Sequence, residues 1–495
     1  MKDLKYYENI IKDKRKKTLF KDFLIEILSW SPVNLQKIDG FVSRFPKTQR
    51  IKGIVDIKEF ENNRDDLLKK SIGYDSDINF FENFKNLFLN IRMCNTLSFG
   101  YNENTEFADT IFMSKKVYLG FIIINNCENI MYSISVKDNC NDVINGLSVW
   151  NGSSIVYQSA GILKGFKIFY SRYIINSNNI WFSSNLIGCE ECIFCSNLEN
   201  KKYYINNKEF EKTQYFIQKE IILKDKYNFI DFFNNVDKKG ENLLSDNVIG
   251  NYIINSSNVN NGYFCSNVRN GKNIFLVGGM DNNTNIYDAF TAGSPYGDDL
   301  YGVMGVSGNN IYNSAHIIES SNIFYSYFLN SCSYCLGCIG LKNKQYCILN
   351  QQYTKEDWEI EVLKIFKKME EEGILGNFFP GTINPFYFND TISGLIGGFK
   401  KEEVKDKGYM WRDKMIKVDV PKGTEIIKVD DLINYEGYDE NENWFINPKI
   451  LKFIIQDKKG NYYKVIKEEY DFLVKNSLPL PRLHRFDRMK LCFGI

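Results

Sequence analysis

Six residues around position 189 recur with the same spacing around position 332. Cys189, Cys192, Cys195, Leu198, Lys201 and Tyr203 match Cys332, Cys335, Cys338, Leu341, Lys344 and Tyr346, and the offset in numbering is the same at every one of them. Six preserved spacings mark an internal duplication, so repeat architecture is the first fold to consider.

The repeat has a finer grain. A small polar residue followed by an apolar pair recurs at Val117, Ile130, Val143, Ile155, Ile168, Ile180 and Ile193, with successive steps of twelve or thirteen. A second array runs through Val259, Ile274, Ile286, Leu300, Ile311, Ile323 and Leu336, with steps between eleven and fifteen. Asn129, Asn179, Asn258, Asn273, Asn285, Asn310 and Asn322 sit directly before such an apolar residue, and an aromatic often follows it. Asn tolerates left-handed backbone and suits a corner, and the residues after it favour strand. Asparagines stacked coil on coil can also hydrogen-bond to one another.

Steps this short exclude a βαβ unit. The expected class is mostly β: a parallel β-helix in two duplicated arrays, with α-helical caps and a small α+β C-terminal module. Two steps, about 25 residues, make one coil in this reading, and about seven coils give a rod of roughly 35 Å. The aromatics are expected to fill the lumen or cap it. The rival, an antiparallel sandwich, would change phase from strand to strand.

The segments expected along the chain are a mixed helical module over 1–110, a first array over 111–206, an insert or cap over 207–246 and a second array over 247–350. A capping helix over 351–375 and an α+β module over 376–495 complete the chain. Phe80, Phe81, Phe84, Leu87 and Phe88 have helical spacing and are expected to dock on the first coil. Thr354 is expected to cap a helix with Trp358, Val362, Ile365, Phe366 and Met369 on its apolar face, ended by Gly373.

Composition narrows the function classes. Lys+Arg 62 against Asp+Glu 61 gives a net charge of +1, which argues for neither nucleic acid nor membrane as a whole-chain partner. Apolar runs are too short for a membrane span, and no secretory signal is visible, so a cytoplasmic chain is expected. Twelve cysteines fit that reducing compartment as free thiols.

The phrases Leu341-Lys-Asn-Lys-Gln-Tyr-Cys-Ile-Leu349, Gly376-Asn-Phe-Phe-Pro380, Gly408-Tyr-Met-Trp-Arg412 and Leu478-Pro-Leu-Pro-Arg482 resemble a family of cysteine-rich proteins of small-genome candidate-phyla bacteria. The resemblance runs from about residue 15 to 490. It implies zinc-ribbon-like cysteine pairs near both ends and a CxxC-dense middle, and it carries no assigned activity. This chain departs at both ends: Gln456 and His484 stand where relatives have cysteines, and Phe20 to Pro32 has none.

Candidate chemistry is sparse. Cys189, Cys192 and Cys195, and Cys332, Cys335, Cys338 and Cys347, are the only zinc-ligand candidates. A closed zinc site takes four ligands, and the first run has three, so buried small hydrophobes are the expected role of these thiols. Apart from zinc, no cofactor is expected. Asp298 and Asp299 are the best carboxylate pair for a carbohydrate-cleaving groove and otherwise read as a protruding loop. His316 reads as a core residue. Lys14, Arg15, Lys16, Lys17, Arg482, Arg485 and Arg488 form basic ends able to contact RNA. The reading is a non-enzymatic scaffold that binds another protein or a ribonucleoprotein. The alternatives are an RNA- or ribosome-associated protein and a carbohydrate-binding or carbohydrate-cleaving β-helix.

Overall fold

The chain is a β-solenoid of about 20 turns over residues 98–348, flanked by helices. The structure, a computed structural model, describes residues 2–278, 283–293, 296–413 and 423–494. It falls into two compact units, each joining two stretches of sequence: residues 1–97 with 241–412, and residues 98–240 with 413–495.

The local rule is a triplet. Tyr170, Tyr173, Asn176 and Asn179 have φ of 51°, 57°, 48° and 55°, so the backbone turns left-handed at every third residue. The residue after each corner points inward: Ser171, Ile174, Ser177 and Ile180 are all buried. The next points outward. Four such triplets close one turn, and Ile168 therefore pairs in parallel with Ile180, twelve positions on. One column of inward residues runs Thr105, Val117, Ile130, Val143, Val156, Ile168, Ile180, Cys192, Tyr204. At ~4.8 Å per rung its length is roughly 40 Å.

This geometry confirms the β-helix and corrects its dimensions. A single step from anchor to anchor is a whole coil, not half of one, because four tight corners close the turn. Ile155 is also a corner, with φ 56°, and the inward anchor is its neighbour Val156. The aromatics that follow the anchors lie outside the lumen. Phe169 stacks on Trp181 at 4.1 Å between ring centroids. Tyr287, Tyr301, Tyr312 and Phe324 form an outer stack with centroid spacings of 5.1, 5.8 and 5.0 Å.

The narrow lumen explains the sequence pattern inside. Three-residue sides leave no room for four large side chains in one turn, so large and small alternate: Ile162, Gly165, Ile168, Ser171, Ile174, Ser177, Ile180. At Gly165 an added Cβ would lie 2.5 Å from Ile162 Cγ2 and 2.9 Å from Ile168 Cγ1. The buried serines are satisfied within the repeat. Ser171 Oγ donates to Phe169 O at 2.9 Å and accepts Ser183 N–H at 3.2 Å, which removes the penalty of a buried hydroxyl.

All seven asparagines singled out in the sequence occupy left-handed corners. A residue with a Cβ pays about 1–2 kcal/mol there, and Asn recovers part of it through local bonding. The asparagine ladder is also present. Asn247 Nδ2 donates to Asn258 Oδ1 at 2.8 Å, Asn258 to Asn270 at 3.2 Å, Asn270 to Asn285 at 3.2 Å, and Asn285 to Asp299 at 2.9 Å.

The helices that matter below are α1 (Leu4–Lys17), α2 (Phe80–Asn90), α3 (Lys212–Lys224), α4 (Phe229–Asn235), α5 (Lys355–Glu371), α6 (Lys467–Lys475) and α7 (Arg485–Phe493). Among the described residues no helix is long and apolar enough to cross a membrane. In the first unit, α2 packs on the second array, with Phe80 5.3 Å from Tyr325 and Phe88 5.7 Å from Tyr327. This corrects the expectation that these phenylalanines dock on the first coil. Helix α5 is capped by Thr354 and covers the last turns through Trp358, 5.5 Å from Tyr334.

The second unit repeats that closure. Its array ends in the antiparallel pair Tyr204–Glu209, and the other in Cys347–Gln352. Tyr215 of α3 packs on Tyr203 at 5.5 Å, and Tyr215 stands to Trp358 as Cys189 stands to Cys332. The duplication therefore includes hairpin and capping helix, although the sequences of the caps have diverged. Helix α4 adds Phe229, 5.0 Å from Phe182.

The corner rule yields a test. Asn258→Gly is expected to cost about 1 kcal/mol, from the lost ladder bonds alone, because Gly adopts the left-handed conformation freely. Asn258→Val is expected to cost about 2 kcal/mol through strain and the lost ladder bond. Urea unfolding of both variants measures the difference, and equal costs would contradict a left-handed corner.

Candidate functional site

In the second unit a groove of about 940 Å³ runs between one solenoid edge and α6. The period of the coil builds its floor. Asn104, Lys116, Asn129, Asp142 and Ile155 are corner residues of five successive turns, stacked by the parallel register. Glu106, Tyr118 and Met131 form the outward column beside them. Five rungs span roughly 20 Å. The opposite wall is Ile466, Glu468, Asp471, Phe472, Lys475 and Asn476.

A buried ion pair holds that wall in place. Glu469 of α6 receives Arg488 Nη1–H of α7 at 2.6 Å, and the Tyr132 hydroxyl donates to its other oxygen at 3.2 Å. Arg488 also stacks over the Tyr132 ring, 4.8 Å from its centroid. Both charges are almost fully buried, so truncating either one would strand the other at a cost of about 3–5 kcal/mol.

The groove is acidic. Five carboxylates line it, Glu106, Glu128, Asp142, Glu468 and Asp471, against the ammonium groups of Lys116 and Lys475. Lys116 spends its charge on Glu128 at 2.7 Å and holds that carboxyl below its usual range. Asp142 accepts from Asn129 Nδ2 at 2.5 Å. Asp471 pairs with Lys467. Burial pushes the Tyr118 phenol up; Arg485 pulls it back, and the carboxylates of Glu106, Glu469 and Glu468 add to the rise. Glu106, Glu468 and Tyr118 all line the groove.

The residues singled out from the sequence go elsewhere. Asp298 and Asp299 lie in the coil itself, in parallel register with the Asn283–Phe290 strand, rather than in a protruding loop. Asp299 ends the asparagine ladder and takes Lys12 Nζ at 3.1 Å, while Asp298 is exposed. His316 is buried, receives Arg44 Nη2 at 2.9 Å, and has its pKa pushed well below normal by burial and the neighbouring cation.

The basic ends are largely consumed internally. Arg15 is buried between Glu26 at 2.9 Å and Asp288 at 3.4 Å. Lys14 donates to the carbonyls of Gly373 and Leu375. Lys16 lies over the Tyr287 ring, and Lys17 is exposed. Arg482 pairs with Glu436 at 2.6 Å, Arg485 is mostly buried, and Arg488 is the support described above.

The cysteine runs sit in the lumen. Their i, i+3, i+6 spacing is the triplet itself, so Cys189, Cys192 and Cys195 occupy three successive inward positions, as do Cys332, Cys335 and Cys338. Cys347 stacks directly on Cys335. The thiols of Cys332, Cys335, Cys338 and Cys347 donate to the carbonyls of Asn330, Ser333, Leu336 and Gln345 at 3.3–3.5 Å. The neighbouring thiols Cys192 and Cys335 favour the ionised forms of Cys189 and Cys332, lowering both, while burial opposes the shift. Among the described residues no group of three or more Cys, His, Asp or Glu side chains is arranged to hold a metal ion. At the C-terminal end, His484 Nδ1 caps α7 by accepting Phe486 N–H at 3.4 Å.

The groove was not visible in the sequence. Its floor could have been read from the column Glu106, Tyr118, Met131 once the coil length was known. Its α6 wall comes from the far end of the chain, and no local pattern marks where that helix docks.

All twelve cysteines are buried free thiols. An aromatic disulfide reagent is therefore expected to titrate essentially none of them in the folded protein and all of them in guanidinium, and fast reaction of the Cys189 or Cys332 run without unfolding would contradict the lumen placement. No protein-family model, curated protein or solved structure matches this chain.

Proposed function

We propose that this protein is a non-enzymatic solenoid scaffold that binds another macromolecule, with the acidic groove of its second unit as the binding surface. The observation that carries the reading is the groove itself: about 940 Å³, open along five turns, with five carboxylates against two lysines. A rigid floor of stacked corners costs little conformational entropy on binding, which favours recognition by a preformed surface. The sign of the charge selects a cationic partner and steers its approach. A basic polypeptide segment fits this better than RNA does, since Arg15, Arg482 and Arg488 are committed to internal ion pairs.

A second reading keeps the carbohydrate class but moves its site. Carboxylates and a tyrosine lining an open groove also suit a saccharide, with Glu106 and Glu468 in place of Asp298 and Asp299.

Calorimetric titration separates these readings. A lysine-rich peptide is expected to bind with salt-sensitive affinity, weakened about tenfold by Glu106→Gln combined with Glu468→Gln. Binding of a neutral glucan with no response to salt would favour the second reading. Binding of single-stranded RNA but not of the peptide would contradict both.

A further inference from the structure

The two arrays begin differently. In the second unit the first turn carries two exposed glutamates, Glu103 and Glu106, on one strand. Charge on an outermost strand is a usual guard against unwanted pairing. In the first unit the array opens with the strand Asp246–Ile254. The end of that strand is covered, because Leu243 bridges to Ile254. Its beginning is not: among the described residues Asp246, Val248 and Ile249 pair on one side only, with Ser257, Val259 and Asn260. Two large apolar side chains stand exposed there, Leu244 at 86% and Ile249 at 64%, beside the exposed Asp246 and Asn247. Val248, the first inward apolar residue of the strand, is only partly buried against the core. The far end of the same array is closed by a hairpin and α5, so among the described residues this array is closed at one end and has an unpaired strand edge at the other.

The ladder gives the open end a polarity. Each asparagine of the ladder, from Asn247 to Asn285, points its Nδ2 donor toward the next turn, and the series ends on the Asp299 carboxylate. Asn247 therefore presents its Oδ1 acceptor at the place where a preceding turn would stand. We propose that Leu244–Ile249 is a strand-addition site for an extended segment of a different protein. That segment pairs with the edge strand, offers a side-chain N–H donor from Asn, Gln, Lys or Arg over Asn247, and lays an apolar residue over Val248. Main-chain pairing supplies affinity in such sites, and the alternate side chains supply specificity. A second copy of this chain is the wrong occupant: a two-fold contact brings acceptor against acceptor at Asn247, and the opposite end of the array is capped. This surface belongs to the first unit and does not depend on the groove reading.

The test uses the full chain and a fluorescein-labelled peptide with the sequence of residues 257–270, which reproduces the turn that already stacks against Asp246–Ile254. Anisotropy is expected to show saturable binding, absent for a scrambled peptide. Ile249→Lys in the protein, at an exposed position, and Asn258→Ala in the peptide are each expected to weaken binding at least about tenfold, with the thermal melt of the protein unchanged. No binding above the scrambled control, or equal binding by both variants, overturns the proposal. So does sedimentation showing a wild-type dimer that Ile249→Lys dissolves, which would assign the edge to a second copy.

Discussion

The left-handed corner at every third residue is the constraint on which everything else in this protein depends. It makes the turn twelve residues long, or thirteen where a corner is doubled as at Asn125 and Asn126, sets three-residue sides and leaves a lumen too narrow for four large side chains per turn. The alternation of Ile or Val with Ser, Gly or Cys follows directly. So does the role of asparagine, which lowers the cost of the corner and returns a hydrogen bond to the next turn. Stability in such a fold is a sum of neighbour terms, and the ladders are those terms made visible along one edge.

The same rule decides how chemistry is displayed. Outward residues of successive turns form columns spaced about 4.8 Å apart, so function on this scaffold is written with a period of twelve or thirteen. The groove floor, Glu106, Tyr118 and Met131 beside Asn104, Lys116 and Asn129, is one such column pair. Its acidity is local, in a chain whose charges otherwise cancel. Duplication gave each unit an array, a closing hairpin and a capping helix, and the surfaces then diverged. One unit presents an acidic groove, the other an opening strand edge.

Much of the fold is legible in the sequence, and the limits have physical causes. The Asn-Ile-aromatic phrase announces parallel stacking and locates the corners. It misleads on coil length because a strand reading assumes alternation, whereas here one residue in three points inward. Ile155 reads as an anchor for that reason, since a β-branched residue in a left-handed corner runs against local preference. CxxCxxC reads as a ligand set and is the triplet spelled in cysteine. The basic ends read as free because their partners, Asp288 and Glu26 for Arg15 and Glu469 for Arg488, are fixed by tertiary packing that no local window contains.

The twelve-residue turn is tested most directly by cross-linking between turns. Phe166 and Asn178 are register partners on adjacent rungs, close enough in a parallel ladder for a disulfide. The native cysteines are all buried and will not interfere. In the double variant Phe166→Cys with Asn178→Cys, mild oxidation should form the bridge rapidly, detected by mass spectrometry, while Phe166→Cys with Glu190→Cys, two rungs apart, should not. Efficient bridging of 166 to 190 and none of 166 to 178 would mean that the turn is twice as long, and the four-cornered account would fail.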